Sequence, residues 1–320
     1  MTAGSAPALS TRLGGLELEH PVLNGSGTFD AIAALRAFGP ALLERFPFSA
    51  FVSKTITVAP REGNPPPRLW EAPAGLINSI GLPNKGLAGF LAQDLPVLAT
   101  LPVPLVVSVA GFSHEEFAQL VEAVGADERV AAIELNVSCP NVESGCVMGA
   151  EPRETLPLVE RLRALTSKPL IVKLTPNAAD VAAVATAAEE GGADALSLIN
   201  TLRSMSVDPH SGRPWLGAGT GGLSGPAVRP VALEQVQAVA ARTDLPVIGM
   251  GGIRSGRDAF DFLTAGATAV AVGTENFRDP AAGDRVRREL AELLSRGGAA
   301  SVGEAVAASS NASKSGSIAG

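Results

Sequence analysis

Eight short runs of β-forming residues recur along the chain, each closed by Gly, Pro or a polar group. They span residues 21–27, 50–56, 104–111, 131–138, 169–176, 195–201, 246–252 and 269–274. The runs are nearly all apolar, which is the pattern of strands buried on both faces of a parallel sheet. Helical patterns fill most of the gaps. "HEEFAQLVEAVG" opens after Ser113, a suitable N-cap, and puts Phe117, Leu120, Val121 and Val124 on one face. "ETLPLVERLRALT", "AADVAAVATAAEEGG", "ALEQVQAVAART" and "GRDAFDFLTAG" follow later strands. Eight strands alternating with helices predict a (β/α)8 TIM barrel with long loops at the C-terminal face of the strands. A doubly wound open sheet is the alternative, and it uses eight parallel strands less readily. One domain is expected over residues 1–308, followed by a small, polar, disordered tail at 309–320.

Net charge of −7 gives the chain no electrostatic footprint for nucleic acid. No apolar stretch approaches the roughly 20 residues that span a bilayer. The start, "MTAGSAPALS", lacks the basic and apolar segments of a signal peptide. The chain therefore reads as cytoplasmic, with no membrane partner. Two cysteines, Cys139 and Cys146, cannot build a disulfide framework, and His20, His114 and His210 lack the spacing of a zinc site. No metal is expected.

Two gaps exceed a simple crossover, at residues 57–86 and 202–226, and both leave the C-terminal end of a strand. Barrel enzymes build their sites on that face. Polar residues collect at the same strand ends: Ser26, Lys54, Asn136, Ser138, Cys139, Lys173, Asn200 and Thr201. A single lysine there reads equally well as snorkelling to water. Lys54 and Lys173 together, with asparagines beside them, read better as facing a ligand. Gly251, Gly252, Gly273 and Thr274 end the last two strands, where barrels commonly bind phosphate, and "TGGLSGP" adds a third backbone wall. Asn78, Asn136, Asn141 and Asn200 suit an amide-rich planar ring such as a pyrimidine, although Asn141 and Asn84 equally suit turn capping. Cys139 is open to four readings at this point: core filler, disulfide half, metal ligand or catalytic group.

The blocks "PREGNPPPR", "NSIGLPN", "ELNVSCPN", "VKLTPN", "INT", "GGLSGPAVRPVAL", "GMGGIRSGRDA" and "AVAVGT" resemble the class 1 dihydroorotate dehydrogenases, from about Val22 to Phe277. "INTL" and "GGLSGPAVRPVAL" are most similar to the catalytic (FMN) subunit of subclass B, the NAD-linked form. The resemblance implies an FMN-containing barrel that oxidises (S)-dihydroorotate to orotate in de novo pyrimidine (UMP) biosynthesis. It implies that Cys139 is the general base for the C5 proton, with hydride passing from C6 to FMN. It places Lys54, Asn78, Ser79, Ile80, Gly81, Leu82, Asn136, Asn141, Asn200 and Thr201 at the substrate. It places Ser26, Lys54, Thr55, Ser108, Asn136, Lys173 and Ile199 along FMN, with Gly225, Gly251, Gly252, Gly273 and Thr274 at its phosphate end. Ser108 stands where subclass B sequences often carry Asn, and Cys146 where the family more usually has Gly.

The resemblance further implies a second subunit carrying FAD and an iron–sulfur cluster, and a homodimer or a heterotetramer with that subunit. A fumarate-linked enzyme of subclass A is the runner-up. Rival functions are a related FMN barrel acting on another reduced pyrimidine, and an aldolase using Lys173 as a Schiff base.

Overall fold

A computed structural model describes residues 7–138 and 147–308 of the chain. The chain opens with an antiparallel hairpin of β1 (Thr11–Leu13) and β2 (Leu16–Leu18). β3 (Val22–Asn24) and β4 (Phe51–Val52) follow, and then an excursion carrying β5 (Leu69–Ala72) and β6 (Gly75–Asn78). β7 (Leu105–Val109), β8 (Ala132–Asn136), β9 (Leu170–Lys173) and β10 (Ala195–Leu198) come next. A second excursion supplies β11 (Leu202–Ser204) and β12 (Gly221–Ser224), before β13 (Val247–Met250) and β14 (Ala269–Val272).

The eight apolar runs are β3, β4, β7, β8, β9, β10, β13 and β14, and they form one parallel sheet in the order β3-β14-β13-β10-β9-β8-β7-β4. The remaining seam, between β3 and β4, is closed by a backbone bond from the Ser49 N–H to the Val22 carbonyl at 3.0 Å and, above it, by a side chain. The buried Asn24 amide donates to the Val52 carbonyl at 2.8 Å and accepts from the Val52 N–H at 2.9 Å, imitating a backbone partner. The expected (β/α)8 barrel is therefore present. Its helices begin where the sequence supplies caps. Ser113 accepts from Glu116 N–H ahead of His114–Gly125, and Asp180 accepts from Ala183 N–H ahead of Val181–Glu190. Ser255 and Asp258 make a capping box on Gly256–Thr264.

Side chains alternate across each strand, so the barrel has an inner and an outer core. The outer core joins Val107, Ile133 and Val172 to helix residues such as Phe117, Leu120, Leu158 and Phe262. The inner core is rich in alanine, with Ala50, Ala132, Ala195, Ala269 and Ala271 among Val52, Val106, Ile171 and Ile248. The space they leave is filled from below by Leu13, Leu16 and Leu18 of the hairpin. This hairpin lies against the N-terminal ends of the strands, with Gly14 against Asp194, Gly15 against Pro169, and the Thr11 hydroxyl near the Thr268 carbonyl.

The two excursions, expected as loops, instead converge in a four-stranded antiparallel sheet of order β11-β12-β6-β5. Its strands are rich in glycine and carry little β propensity of their own. They pair because they approach closely: a Cβ on Gly75 would collide with the Ser224 carbonyl. Trp70 and Trp215, one from each excursion, meet edge to face at 4.8 Å and hold the sheet together. Among the described residues no helix is long and apolar enough to cross a membrane.

Candidate active site

The mouth of the barrel and the four-stranded sheet enclose a cavity of about 300 Å³. A bulge brings its first two polar groups together. β4 and β7 are in register at Val52 and Val106, and again at Ile56 and Val109. Four steps on one strand thus oppose three on the other, and the extra residue lies between Ser53 and Thr55. The Ser53 hydroxyl takes up the Ser108 N–H at 3.1 Å where the ladder is broken. Alternation is lost at a bulge, so adjacent side chains can face the same way. Lys54 and Thr55 both line the cavity.

Lys54 stands in the open mouth, with its ammonium near Gly27. Lost hydration pushes its pKa below the ordinary lysine value, and the Asp30 carboxylate opposes that shift. Lys173 is more enclosed. It ends β9 level with Asn136 on β8, is 6% exposed, and donates to the Ser26 hydroxyl at 2.9 Å. Asn200 spans the next gap by donating to the Ser138 hydroxyl at 2.8 Å and lying 3.4 Å from the Asn136 oxygen. The Asn200 oxygen accepts the Thr201 N–H at 2.9 Å.

The opposite end of the cavity is mostly backbone. Gly225, Gly251, Gly252, Gly273 and Thr274 all reach it. The N–H groups of Gly251, Gly252 and Gly273 donate to no protein acceptor among the described residues. Gly252 adopts φ of +78°, and a Cβ there would press on the Gly225 carbonyl at 2.8 Å. Glycine is thus required for two loops to meet at this wall. The loop after β13 is held from behind by Asp258, which accepts from the Arg254 and Ser255 N–H groups and pairs with Arg229.

From the four-stranded sheet come Asn78, donating to the Gly222 carbonyl at 3.3 Å, and the turn of Ile80, Gly81 and Leu82. Ile199 completes the wall from the end of β10. Two expected residues are not on the wall. The Ser79 hydroxyl is taken by Asn64 at 2.9 Å, so it braces the loop from outside. Ser108 is fully buried one layer below, hydrogen-bonded to Thr55 and Glu134. A serine is too short to reach the cavity from that position, and Thr55 occupies the place above it. Cys139, Asn141 and Cys146 lie outside the described residues.

Other wall residues escaped the sequence reading. Leu69, Leu76 and Leu223 arrive from the excursions, where no periodicity marked them. Arg254, Glu275 and Phe277 lie within or beside the quoted glycine motifs and were legible there as motif neighbours. Thr28 and Ser224 join them, and Ser224 accepts the Thr274 hydroxyl at 2.8 Å.

Comparison with known proteins adds a family. A family model described as dihydroorotate dehydrogenase matches residues 8–294. The chain is 45% identical over 303 residues to "Dihydroorotate dehydrogenase B (NAD(+)), catalytic subunit" of Geobacter metallireducens, covering 94% of this chain and 98% of that protein. It is 46% identical over 297 residues to the protein of the same name from Desulforudis audaxviator, covering 92% and 95% respectively.

Proposed function

This chain belongs to the dihydroorotate dehydrogenase family, and on that premise we propose that it oxidises (S)-dihydroorotate to orotate with FMN as hydride acceptor, in de novo pyrimidine biosynthesis. One observation of the site supports this reading above the rest. Lys173 at the end of β9, Lys54 just beyond β4, three asparagines and a glycine-walled end converge on a single cavity. The residues present fit FMN. The unpaired N–H groups of Gly251, Gly252 and Gly273 suit its phosphate, and the enclosed Lys173 suits the acceptor edge of its ring.

In this reading Lys54, Asn78, Asn136, Asn200 and Thr201 hold the substrate, together with the backbone of Ile80, Gly81 and Leu82 and with Asn141. Lys54 is the cation for the substrate carboxylate. Ser26, Thr55, Asn136, Lys173 and Ile199 hold the flavin ring, while Gly225 and Thr274 join the three glycines at the phosphate. The Cys139 thiolate removes the proton from C5, and a cationic surrounding favours that thiolate. The chemistry FMN supplies when bound is uptake of the hydride from C6. Lys173 provides fixed positive charge where negative charge develops, in a site partly covered by the four-stranded sheet. Ser79 braces the substrate turn, and Ser108 acts behind Thr55.

We further propose a single domain ending near residue 308, a cytoplasmic location, and NAD as the final acceptor. Electrons would reach NAD through a separate subunit carrying FAD and an iron–sulfur cluster. The words "B (NAD(+)), catalytic subunit" in the relatives' names support that route.

The purified protein should be yellow, with flavin bands near ~370 and ~450 nm. Dihydroorotate should bleach them without oxygen, and Cys139→Ala should slow the bleaching by about 10²–10⁴-fold at neutral pH. A colourless protein, or a flavin that dihydroorotate does not reduce, sinks the reading.

A further inference from the structure

Glu134 is the only acidic residue on the eight barrel strands, and it is 1% exposed. It sits on β8 between Ala132 and Asn136, on the face that points into the barrel. Ile171 lies opposite it on β9, and the same inner face carries Ala132, Val106 and Ala195, an apolar lining in which a carboxylate is costly. Packing alone gives no reason for it, and the roles assigned so far do not use it.

Its hydrogen bonds have a direction. A carboxylate only accepts. Ser108 donates to one oxygen at 3.0 Å and Ser197 to the other at 3.2 Å. Each serine has a single hydroxyl proton, so Ser108 has none left. The 2.9 Å contact between Ser108 Oγ and Thr55 Oγ1 must therefore be made by the threonine proton. Thr55 in turn has no proton to offer the cavity it lines, only lone pairs. The bulge at residues 53–55 is what brings Thr55 within reach of both Ser108 and the cavity.

We propose that Glu134 is a positioning residue that fixes Thr55 as a hydrogen-bond acceptor toward a flavin N–H. The assignment rests on the flavin reading above. The oxidised flavin ring carries one N–H, at N3, flanked by two carbonyl acceptors. Lys173, Asn136 and backbone N–H groups serve acceptors, whereas Thr55 serves the one donor. Without the carboxylate the relay could reverse, and Thr55 would present a proton instead. Glu134 thereby orients the wall of the site through two hydroxyl groups, without touching the ligand.

The test is binding of FMN and of 3-methyl-FMN, which lacks the N–H, to the flavin-free protein. The wild type should prefer FMN. In Glu134→Gln the carboxamide can donate to Ser108, and the preference should shrink by about five- to tenfold, the worth of one hydrogen bond. Ser108→Ala breaks the relay while keeping the charge, and should shrink it similarly; it carries the test if the glutamine variant does not fold. The preference for FMN over riboflavin should stay unchanged in both, because the phosphate end is untouched. If a folded variant keeps the wild-type FMN to 3-methyl-FMN ratio, or loses both ligands equally, Glu134 is merely structural and the proposal fails. A wild-type protein with no affinity for either flavin overturns the flavin reading itself, before any variant is compared.

Discussion

At its floor the barrel closes on Leu13, Leu16 and Leu18, and at its mouth the same strands open onto Lys54, Lys173 and Asn136. The floor places large apolar side chains against alanines, so every contact there removes hydrocarbon from water. The mouth places two cations, three asparagines and unpaired backbone N–H groups in a partly enclosed space, at a cost in desolvation. Glu134 lies between these halves, where the apolar packing of one gives way to the hydrogen bonding of the other. The contrast separates stability from chemistry along a single axis, and that separation can be attacked from either end.

The largest effect is expected at the mouth. Lys173→Met should lower the rate of flavin reduction by about 10²–10³-fold, the usual loss when a fixed electrostatic stabiliser is removed. The variant should melt no earlier than the wild type, because a buried cation is replaced by a side chain of similar length. Stopped-flow reduction and a thermal melt read the two quantities. A melt that collapses along with the rate would show that the mouth also carries the fold. At the floor the expectation inverts. Leu13 is fully buried, and Leu13→Ala should cost about 2–5 kcal/mol in urea unfolding while leaving turnover intact well below the transition. A matching fall in turnover would break the separation from the other side.

The floor also carries a pH dependence. His20 is buried just before β3, and its Nδ1 accepts the Val22 N–H at 3.3 Å. Burial holds its pKa down to about 4, Arg287 adds to that shift, and Asp284 opposes it. The unfolded chain therefore binds a proton near pH 6.5 that the folded chain refuses until about pH 4. Stability from this group is fully present above about pH 6.5 and is lost as pH falls through that window, by up to ~3 kcal/mol. His20→Leu should flatten the acid limb of unfolding free energy against pH. Parallel curves for the two proteins would remove His20 from the account.

The contrast also explains what could be read in advance. The eight strands were legible because burial on both faces leaves nearly apolar runs such as "PLIVKLTP". The cavity-lining glycines and both lysines were legible because polar groups and glycine break those runs near one end. The hairpin that plugs the floor was not, since "TRL" and "LEL" are too short to show a period. The four-stranded sheet was hidden by its glycines, which signal turns in a sequence and close approach in a structure. Neither the seam closed by Asn24 nor the bulge at residues 53–55 has a local signature, since both depend on the register of strands far apart in the chain. Ser108 was expected on the wall from the resemblance alone, and the register of the two strands sets it behind Thr55, which was expected there as well.

The smallest effect tests how finely the mouth is tuned. Asp30 caps the helix Ala31–Phe38, accepting from Ala33 N–H at 2.9 Å, and its charge supports the Lys54 ammonium against desolvation. Asparagine caps a helix as well as aspartate does, so Asp30→Asn should leave the melt nearly unchanged. It removes only the charge. The Lys54 pKa, already below the ordinary lysine value, should then fall further, because the one opposing influence is gone. If Lys54 must be protonated to hold the substrate carboxylate, affinity is retained below its pKa and lost as pH rises through it. The alkaline limb of orotate affinity against pH should therefore move to lower pH, with the acid limb unmoved. Affinity at neutral pH should change little as long as the lysine remains mostly charged there. An alkaline limb that stays in place would mean that solvent screens Asp30 from Lys54 and that burial alone sets the lysine's charge.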